Sequence, residues 1–518
     1  MILLEALHIK HYVKDRLLLD VDQLHIHQKD RIGLVGRNGC GKTTLLNIFA
    51  EKMVPEEGTV IRRARCTLLP QLKRTDTTKS GGEVTQEYIQ KALVSIPELL
   101  LADEPTTNLD TDHIEWLEKK LNEWQGAFVI VSHDRAFLDA LCTTIWEINE
   151  GKIKVYTGNF SNYTAQKETE RAEQQSAYES YETKKKQLEE ALKLKEKKAQ
   201  RATKKPKNVN LSDSKGKDFT KKQKKLQKTA NAIETRLEKL EKVEKVKELQ
   251  PLKMNLPNEE TFKNRIILRA EDVSGRVGER ILWCKTSFLV RGGDKLVIIG
   301  PNGSGKTTLV KKIINQEPGI MTSPAMKIGY FSQNLNILDE EKSIIENVRA
   351  TSKQEETLIR TVLARMHFFK EDVYKVVGVL SGGERVKVAL TKVFLSDINT
   401  LILDEPTNYL DMEAVGALES LLKEYEGSVI FVSHDRRFIE NIATRILEIR
   451  SQTIRVFEGT YRQWKYDKPK KNRDDEKEKR LLLETKVTAV LSRLSIEPSE
   501  ELEREFQKLL KEKRETGK

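Results

Sequence analysis

Short, nearly continuous apolar runs recur along the chain, and each stops at a glycine, an acidic pair or a Ser-His pair. They lie at residues 30–35, 99–102, 127–131, 295–299, 401–403 and 428–432. Their length and their Val, Ile and Leu content predict strands, while 44–48 and 308–312 read as helix starts. Between 166 and 240 the pattern changes. Tyr178, Tyr181, Leu188 and Leu192 recur at spacings of 3, 7 and 4, and Leu226, Ile233, Leu237 and Leu240 at 7, 4 and 3. Two such stripes predict two helices that zip as an antiparallel hairpin. Residues 203–220 between them hold Pro206, Gly216 and four Asn or Ser residues, which predicts a non-helical tip. Beyond Lys468, helical periodicity returns at 481–494 and 500–511, separated by Pro498.

Four motifs occur twice in the same order. Gly36-Arg-Asn-Gly-Cys-Gly-Lys-Thr43 returns 264 residues later as Gly300-Pro-Asn-Gly-Ser-Gly-Lys-Thr307. Ser80-Gly-Gly-Glu83 pairs with Ser381-Gly-Gly-Glu384, Asp103-Glu-Pro-Thr106 with Asp404-Glu-Pro-Thr407, and Val131-Ser-His-Asp-Arg135 with Val432-Ser-His-Asp-Arg436. The period is far too long for a solenoid and marks a duplicated domain. The expected organisation is α/β: a first domain at 1–160, a helical-hairpin linker at 161–262, a second domain at 263–467 and a C-terminal helical extension at 468–518.

Composition narrows the class. A chain of 518 residues exceeds one ordinary core. No run approaches the roughly 18–20 apolar residues of a membrane span, and Glu5 breaks the opening apolar run too early for a signal peptide. The expectation is a protein that crosses no membrane. Cys40, Cys66, Cys142 and Cys284 form no C-x-x-C pair, which suits a reducing cytoplasm. The net charge is +12, and residues 191–230 alone carry 15 Lys or Arg against 3 Asp or Glu. The rest of the chain is near neutral, so the charge is concentrated beside the hairpin tip. Lys-rich helices are often only solvated, but concentration in one segment favours a polyanion, whose counterions are released as phosphates are neutralised.

The motifs carry a specific chemistry. G-x-x-x-x-G-K-T between strand and helix is a phosphate loop, in which Gly36, Asn38, Gly39, Gly41 and Thr44, or Gly300, Asn302, Gly303, Gly305 and Thr308, wrap phosphate oxygens. Lys42 and Lys306 reach the β- and γ-phosphates, and Thr43 and Thr307 are candidate Mg²⁺ ligands. Asp103 and Asp404 end apolar strands and are candidate Mg²⁺ ligands too. The following Glu104 and Glu405 are placed to activate water. A lone histidine is usually structural, but His133 and His434 share a duplicated context that points to the γ-phosphate and catalytic water. Gln71 and Gln333, between phosphate loop and Ser-Gly-Gly, are candidate Mg²⁺ sensors. Tyr12 is a candidate adenine stacker; the matching stretch, 273–277, offers no aromatic.

Together these residues resemble the ATP-binding cassette superfamily, and the Ser-Gly-Gly-Glu signature sets that superfamily apart from other phosphate-loop ATPases. The resemblance implies ATP sandwiched between one cassette's phosphate loop and the other's signature: Lys42 with Ser381, Gly382 and Gly383, and Lys306 with Ser80, Gly81 and Gly82. Tandem cassettes, a long linker and no apparent membrane domain resemble the ABC-F proteins, which act on ribosomes. Residues 7–13, 79–85, 200–208 and 364–369 are worded like Vga-type antibiotic-resistance proteins. Eight residues separate Gln71 from Ser80 but 47 separate Gln333 from Ser381, so the first cassette should lack most of its helical subdomain.

The resemblance implies a cytoplasmic monomer that enters the ribosomal tRNA exit site with ATP bound and leaves on hydrolysis, protecting against lincosamides, streptogramin A and pleuromutilins. Its tip would meet large-subunit rRNA and P-site tRNA. Lys204, Lys205, Lys207, Lys221 and Lys222 would lie on phosphates, and Val209, Leu211 and Phe219 on bases or the tRNA end. The competing readings are a housekeeping translation factor and the ATPase subunit of a drug exporter.

Overall fold

A computed structural model describes residues 1–70, 87–90, 92, 97–107, 109–203, 214–240, 242, 254, 263, 265–332 and 335–467; the side chains of 199–203, 214–224 and 226 lie outside that description. The chain forms two compact units. One comprises 1–257, 331–398 and 406–426, the other 258–330, 399–405 and 427–518.

In the first unit the apolar runs become the inner strands of a sheet. The elements are β1 (Ile2–Val13), β2 (Arg16–His27), β3 (Arg31–Gly36), α1 (Lys42–Phe49), β4 (Glu57–Arg62), β5 (Cys66–Leu69) and β6 (Leu99–Asp103). Next come α2 (Thr111–Glu123), β7 (Ala127–Val131), α3 (Arg135–Leu141), β8 (Thr144–Asn149) and β9 (Lys152–Thr157). The six-stranded sheet runs β5-β6-β7-β3-β8-β9, parallel throughout except for the β8–β9 hairpin. A small antiparallel sheet, β2-β1-β4, stands beside it.

Every residue of β6 and β7 is buried, and the pleat divides them between two cores. Leu99, Leu101, Ala127, Val129 and Val131 join the cluster that holds α1 and the small sheet. Leu100, Ala102, Phe128 and Ile130 face the cluster built with α2 and α3. Burial on both faces is why these runs read as continuously apolar rather than alternating.

The linker helices are α4 (Phe160–Thr203) and α5 (Ser214–Glu238), which pack on one another as a hairpin. Tyr178, Tyr181, Leu188 and Leu192 are half-buried along α4, as are Ile233 and Leu237 on α5 and Leu240 just beyond its end. The expected tip needs correction. Thr203 is helical and α5 already begins at Ser214, so the 203–220 boundary is too wide at both ends. Gly216 falls in the first turn of α5 rather than in a loop. Residues 204–213, with Lys204, Lys205, Lys207, Val209 and Leu211, lie outside the described residues. So do the side chains of Phe219, Lys221 and Lys222, and the whole of 468–518.

The second unit repeats the architecture with β10 (Ile266–Val277), β11 (Arg280–Arg291), β12 (Lys295–Ile299), α6 (Lys306–Ile314), β13 (Ile320–Thr322) and β14 (Ile328–Phe331). Helices α7 (Ile344–Arg349), α8 (Glu356–Arg365) and α9 (Gly382–Phe394), with α10 (Met412–Glu424), belong to the first unit. β15 (Thr400–Asp404), β16 (Ser428–Val432), α11 (Arg436–Ile442), β17 (Arg445–Arg450), β18 (Thr453–Glu458) and α12 (Tyr461–Asp467) complete the second. Its sheet order, β14-β15-β16-β12-β17-β18, matches the first strand for strand. Among the described residues, no helix is long and apolar enough to cross a membrane.

Candidate nucleotide sites

Each phosphate loop joins the end of a central strand to a helix. The loop glycines take positive φ: 152°, 76° and 105° at Gly36, Gly39 and Gly41, and 153°, 72° and 99° at Gly300, Gly303 and Gly305. Gly41 and Gly305 are doubly constrained. A Cβ there would meet Leu19 Cδ2 at 2.9 Å and the Trp283 ring at 2.4 Å, whereas a Cβ on Gly39 would find open space. The loops therefore leave a concave, amide-lined cradle at a helix start, the form an anion requires. Lys42 Nζ folds back to donate to the Gly36 and Arg37 carbonyls at 2.7 and 2.9 Å; Lys306 Nζ does the same to Gly300 and Pro301 at 2.9 and 3.1 Å. Thr43 and Thr307 are exposed at the mouth of the cradle, with Thr44 and Thr308 half-buried behind.

Asp103 and Asp404 close β6 and β15 beside those threonines. Thr43 hydrogen-bonds Asp103, and Thr307 Oγ1 donates to Asp404 Oδ1 at 3.4 Å. Burial pushes both carboxyls up, opposed by the threonine bonds. The adjoining Glu104 and Glu405 each take φ 50°, a left-handed conformation costly for a residue with a side chain. Their geometry is the same in both repeats. The His133 amide donates to Glu104 Oε2 at 3.2 Å, and His133 Nε2 stands 3.3 Å from Oε1; His434 Nε2 stands 3.4 Å from Glu405 Oε1. Both Oε1 atoms are buried without a hydrogen bond of acceptable geometry. Burial pushes the Glu405 carboxyl up to about 7. A hard oxygen pair beside each cradle, together with a carboxylate oxygen awaiting a donor, fits Mg²⁺-nucleotide and an attacking water.

The signature of the second repeat lies in the first unit with the first phosphate loop. Ser-Gly-Gly-Glu folds as a capping box: Ser381 Oγ accepts from the Glu384 amide at 3.4 Å, and Glu384 Oε2 accepts from the Ser381 amide and hydroxyl at 2.9 and 2.6 Å. A Cβ on Gly383 would stand 3.2 Å from Asn38 Nδ2, so the signature helix start approaches the loop of the other repeat closely. Asn38 Nδ2 donates to the Tyr409 carbonyl at 3.0 Å and its amide to Asp411 Oδ2 at 3.3 Å. Burial opposes ionisation of Asp411, yet Lys387 and the amides of Ala414 and Asn38 hold its carboxyl below the usual range.

Lys42 and Ser381–Gly383 are thus brought into one region. Ser80, Gly81, Gly82, Gln71 and Gln333 lie outside the described residues. Tyr12 is partly exposed near the end of β1, its amide donating to Glu56 Oε2 at 3.1 Å. The missing aromatic of 273–277 has a counterpart on the neighbouring strand, since Trp283 is fully buried against Gly275 and Gly305 under the second loop. Sequence reasoning missed Tyr409, Asp411, Arg37 and Glu413. The signal for one was present: Leu109-Asp110 and Leu410-Asp411 follow each Asp-Glu-Pro-Thr at the same distance, and each Asp caps the next helix.

Phosphate loop, buried Asp-Glu at a strand end, histidine on the next strand and capping-box signature are the parts of an ATP-binding cassette. A family model described as ABC transporter matches residues 19–75 and 284–408. The chain is 34% identical over 481 residues to the erythromycin resistance ATP-binding protein MsrA of Staphylococcus epidermidis, spanning 86% of this chain and 97% of that protein. It is 31% identical over 541 residues to the ribosome protection protein VmlR of Bacillus subtilis (strain 168), spanning 97% and 96%. The chain belongs to the ABC-F family of ATP-binding proteins, and it is an ATP hydrolase. The fold is also that of the archaeal ribosome recycling factor aABCE1, with a TM-score of 0.59 at 18% identity over 88% of this chain and 90% of that one.

Proposed function

We propose that this protein is a cytoplasmic ribosome-protection ATPase: with ATP bound it enters the tRNA exit site, its hairpin tip meets large-subunit rRNA and P-site tRNA, and hydrolysis releases it. The single observation that carries the reading is the concentration of the entire net charge at 191–230, a stretch that takes in the end of α4 and the start of α5. Its near full-length likeness to proteins named for ribosome protection and erythromycin resistance supports the same reading. Vga-type specificity for lincosamides, streptogramin A and pleuromutilins rests on the wording of the sequence. The protein is read as a monomer whose two cassettes pair within the chain.

In the proposed site, Lys42 and the loop amides hold the β- and γ-phosphates of an ATP whose γ-phosphate also meets Ser381 and the Gly382 and Gly383 amides. The second site uses Lys306 with Ser80–Gly82. Thr43 with Asp103, and Thr307 with Asp404, would hold Mg²⁺, which supplies positive charge to the phosphate oxygens. Glu104 and Glu405 take a proton from the attacking water, and His133 and His434 orient that water and the carboxylate. Replacing both glutamates by Gln leaves binding intact and slows hydrolysis by about 10²–10⁴-fold. The trapped protein then sediments with ribosomes. Sedimentation with membranes instead would support an exporter subunit, and ribosome binding without a rise in inhibitory concentration for any of the three drug classes would support a housekeeping factor.

A further inference from the structure

Arg37 occupies the first variable place of its phosphate loop, where the second repeat has Pro301. Its Nε donates to Glu413 Oε2 at 2.7 Å, on the first turn of α10. Its guanidinium is therefore engaged by Glu413. His367 Nε2 stands 3.6 Å from the same Glu413 oxygen, but burial lowers the His367 pKa, which leaves Arg37 as the cation on Glu413. His367 lies in the 364–369 stretch that marked the family wording and that the hydrolytic site does not use. Beside Glu413, Met412 packs on the same apolar cluster as Tyr163 and Phe160, the first turn of α4. Tyr163 in turn donates to Glu147 Oε1 at 2.9 Å, and Lys167 Nζ to Glu147 Oε2 at 2.8 Å.

We infer that Arg37 and Glu413 form a positioning latch, which holds the signature-bearing helices against the first phosphate loop and ties that loop to the base of the linker hairpin. It rests on the reading that Lys42 and Ser381 serve one ATP. The pair is not duplicated in the sequence, because Pro301 stands in the second repeat where the first has Arg37. Neither latch side chain is among the groups read as holding the phosphates. Nucleotide binding by the loop is therefore unaffected by its loss, while closure of signature on loop is weakened.

The test is charge exchange in the full chain. Arg37→Glu and Glu413→Arg each lower kcat for ATP about 3–10-fold with KM within twofold, since reversal replaces an ion pair with repulsion. They also raise amide exchange over residues 160–170. The double exchange restores both to within about twofold of the parent. The neutral Arg37→Gln and Glu413→Gln variants, which disturb folding least, fall between. Single reversals with parental kcat, or a double exchange no better than the worse single variant, overturn the latch. Unchanged exchange at 160–170 in variants with lowered kcat overturns its tie to the hairpin. Ser381→Ala is the control for the underlying reading: parental kcat in that variant sinks the composite site whatever the charge exchange shows.

Discussion

At the scale of single residues, the two repeats share the same strained solution. Glu104 and Glu405 both adopt φ 50°, and each holds a buried oxygen toward a histidine. Strain of this kind persists where surrounding structure over-determines it, here the strand end, the following proline and the histidine amide. Gly41→Ala should stop ATP binding at the first loop, because the new Cβ meets both an unfavourable φ of 105° and Leu19 at 2.9 Å. Equilibrium binding of a fluorescent ATP analogue checks this. Glu405 also costs stability. Its carboxyl titrates near 7 in the fold against 4.5 ordinarily, so between those values the folded protein keeps a proton that the unfolded chain has released. Stability therefore falls as pH rises through that window, and Glu405→Gln escapes the loss. At pH 8 that variant should melt about 2–6 °C above the parent, with the gap shrinking toward pH 5.

Elements show how a local pattern becomes a mechanical part. Asp110, Asp134, Asp411 and Asp435 each cap the helix that follows a motif, which fixes where the helix starts and so where the motif points. Glu147 helps fasten the base of α4, accepting from Tyr163 at 2.9 Å and Lys167 at 2.8 Å, and it also accepts from Tyr156 of β9 at 3.2 Å. Glu147→Ala should destabilise this junction by about 2 kcal/mol. Hydrogen exchange is the readout, with protection lost over 160–170 while β6 and β7 keep theirs. Tip and stripes illustrate the limits of pattern. The stripes were legible because half-burial at helical spacing leaves a trace in the sequence. The start of α5 was not, because Gly216 signals a break in isolation, and only the pairing of α5 as a whole with α4 decides that the helix runs through it.

For the whole molecule, the proposed partner predicts a salt dependence. If the lysines beside the tip meet RNA phosphates, binding of the trapped double Glu→Gln protein to ribosomes should weaken steeply between about 50 and 200 mM salt. Replacing Lys204, Lys205 and Lys207 by Ala should flatten that dependence while leaving ATP hydrolysis in the absence of ribosomes at the parental rate. Co-sedimentation across a salt series measures it.

Taken by itself, the sequence determined that there are two phosphate-binding domains, which carboxylates and histidines accompany each, and that the positive charge belongs to the hairpin. Those features are local: a loop, a strand end or a helical stripe writes its requirement into neighbouring residues. Only the tertiary structure decided that α7–α10 of the second repeat belong with the first phosphate loop, and that Arg37 finds Glu413 in the other repeat. An ion pair between residues 376 positions apart leaves no periodicity and no spacing to read, because folding alone determines which charges meet.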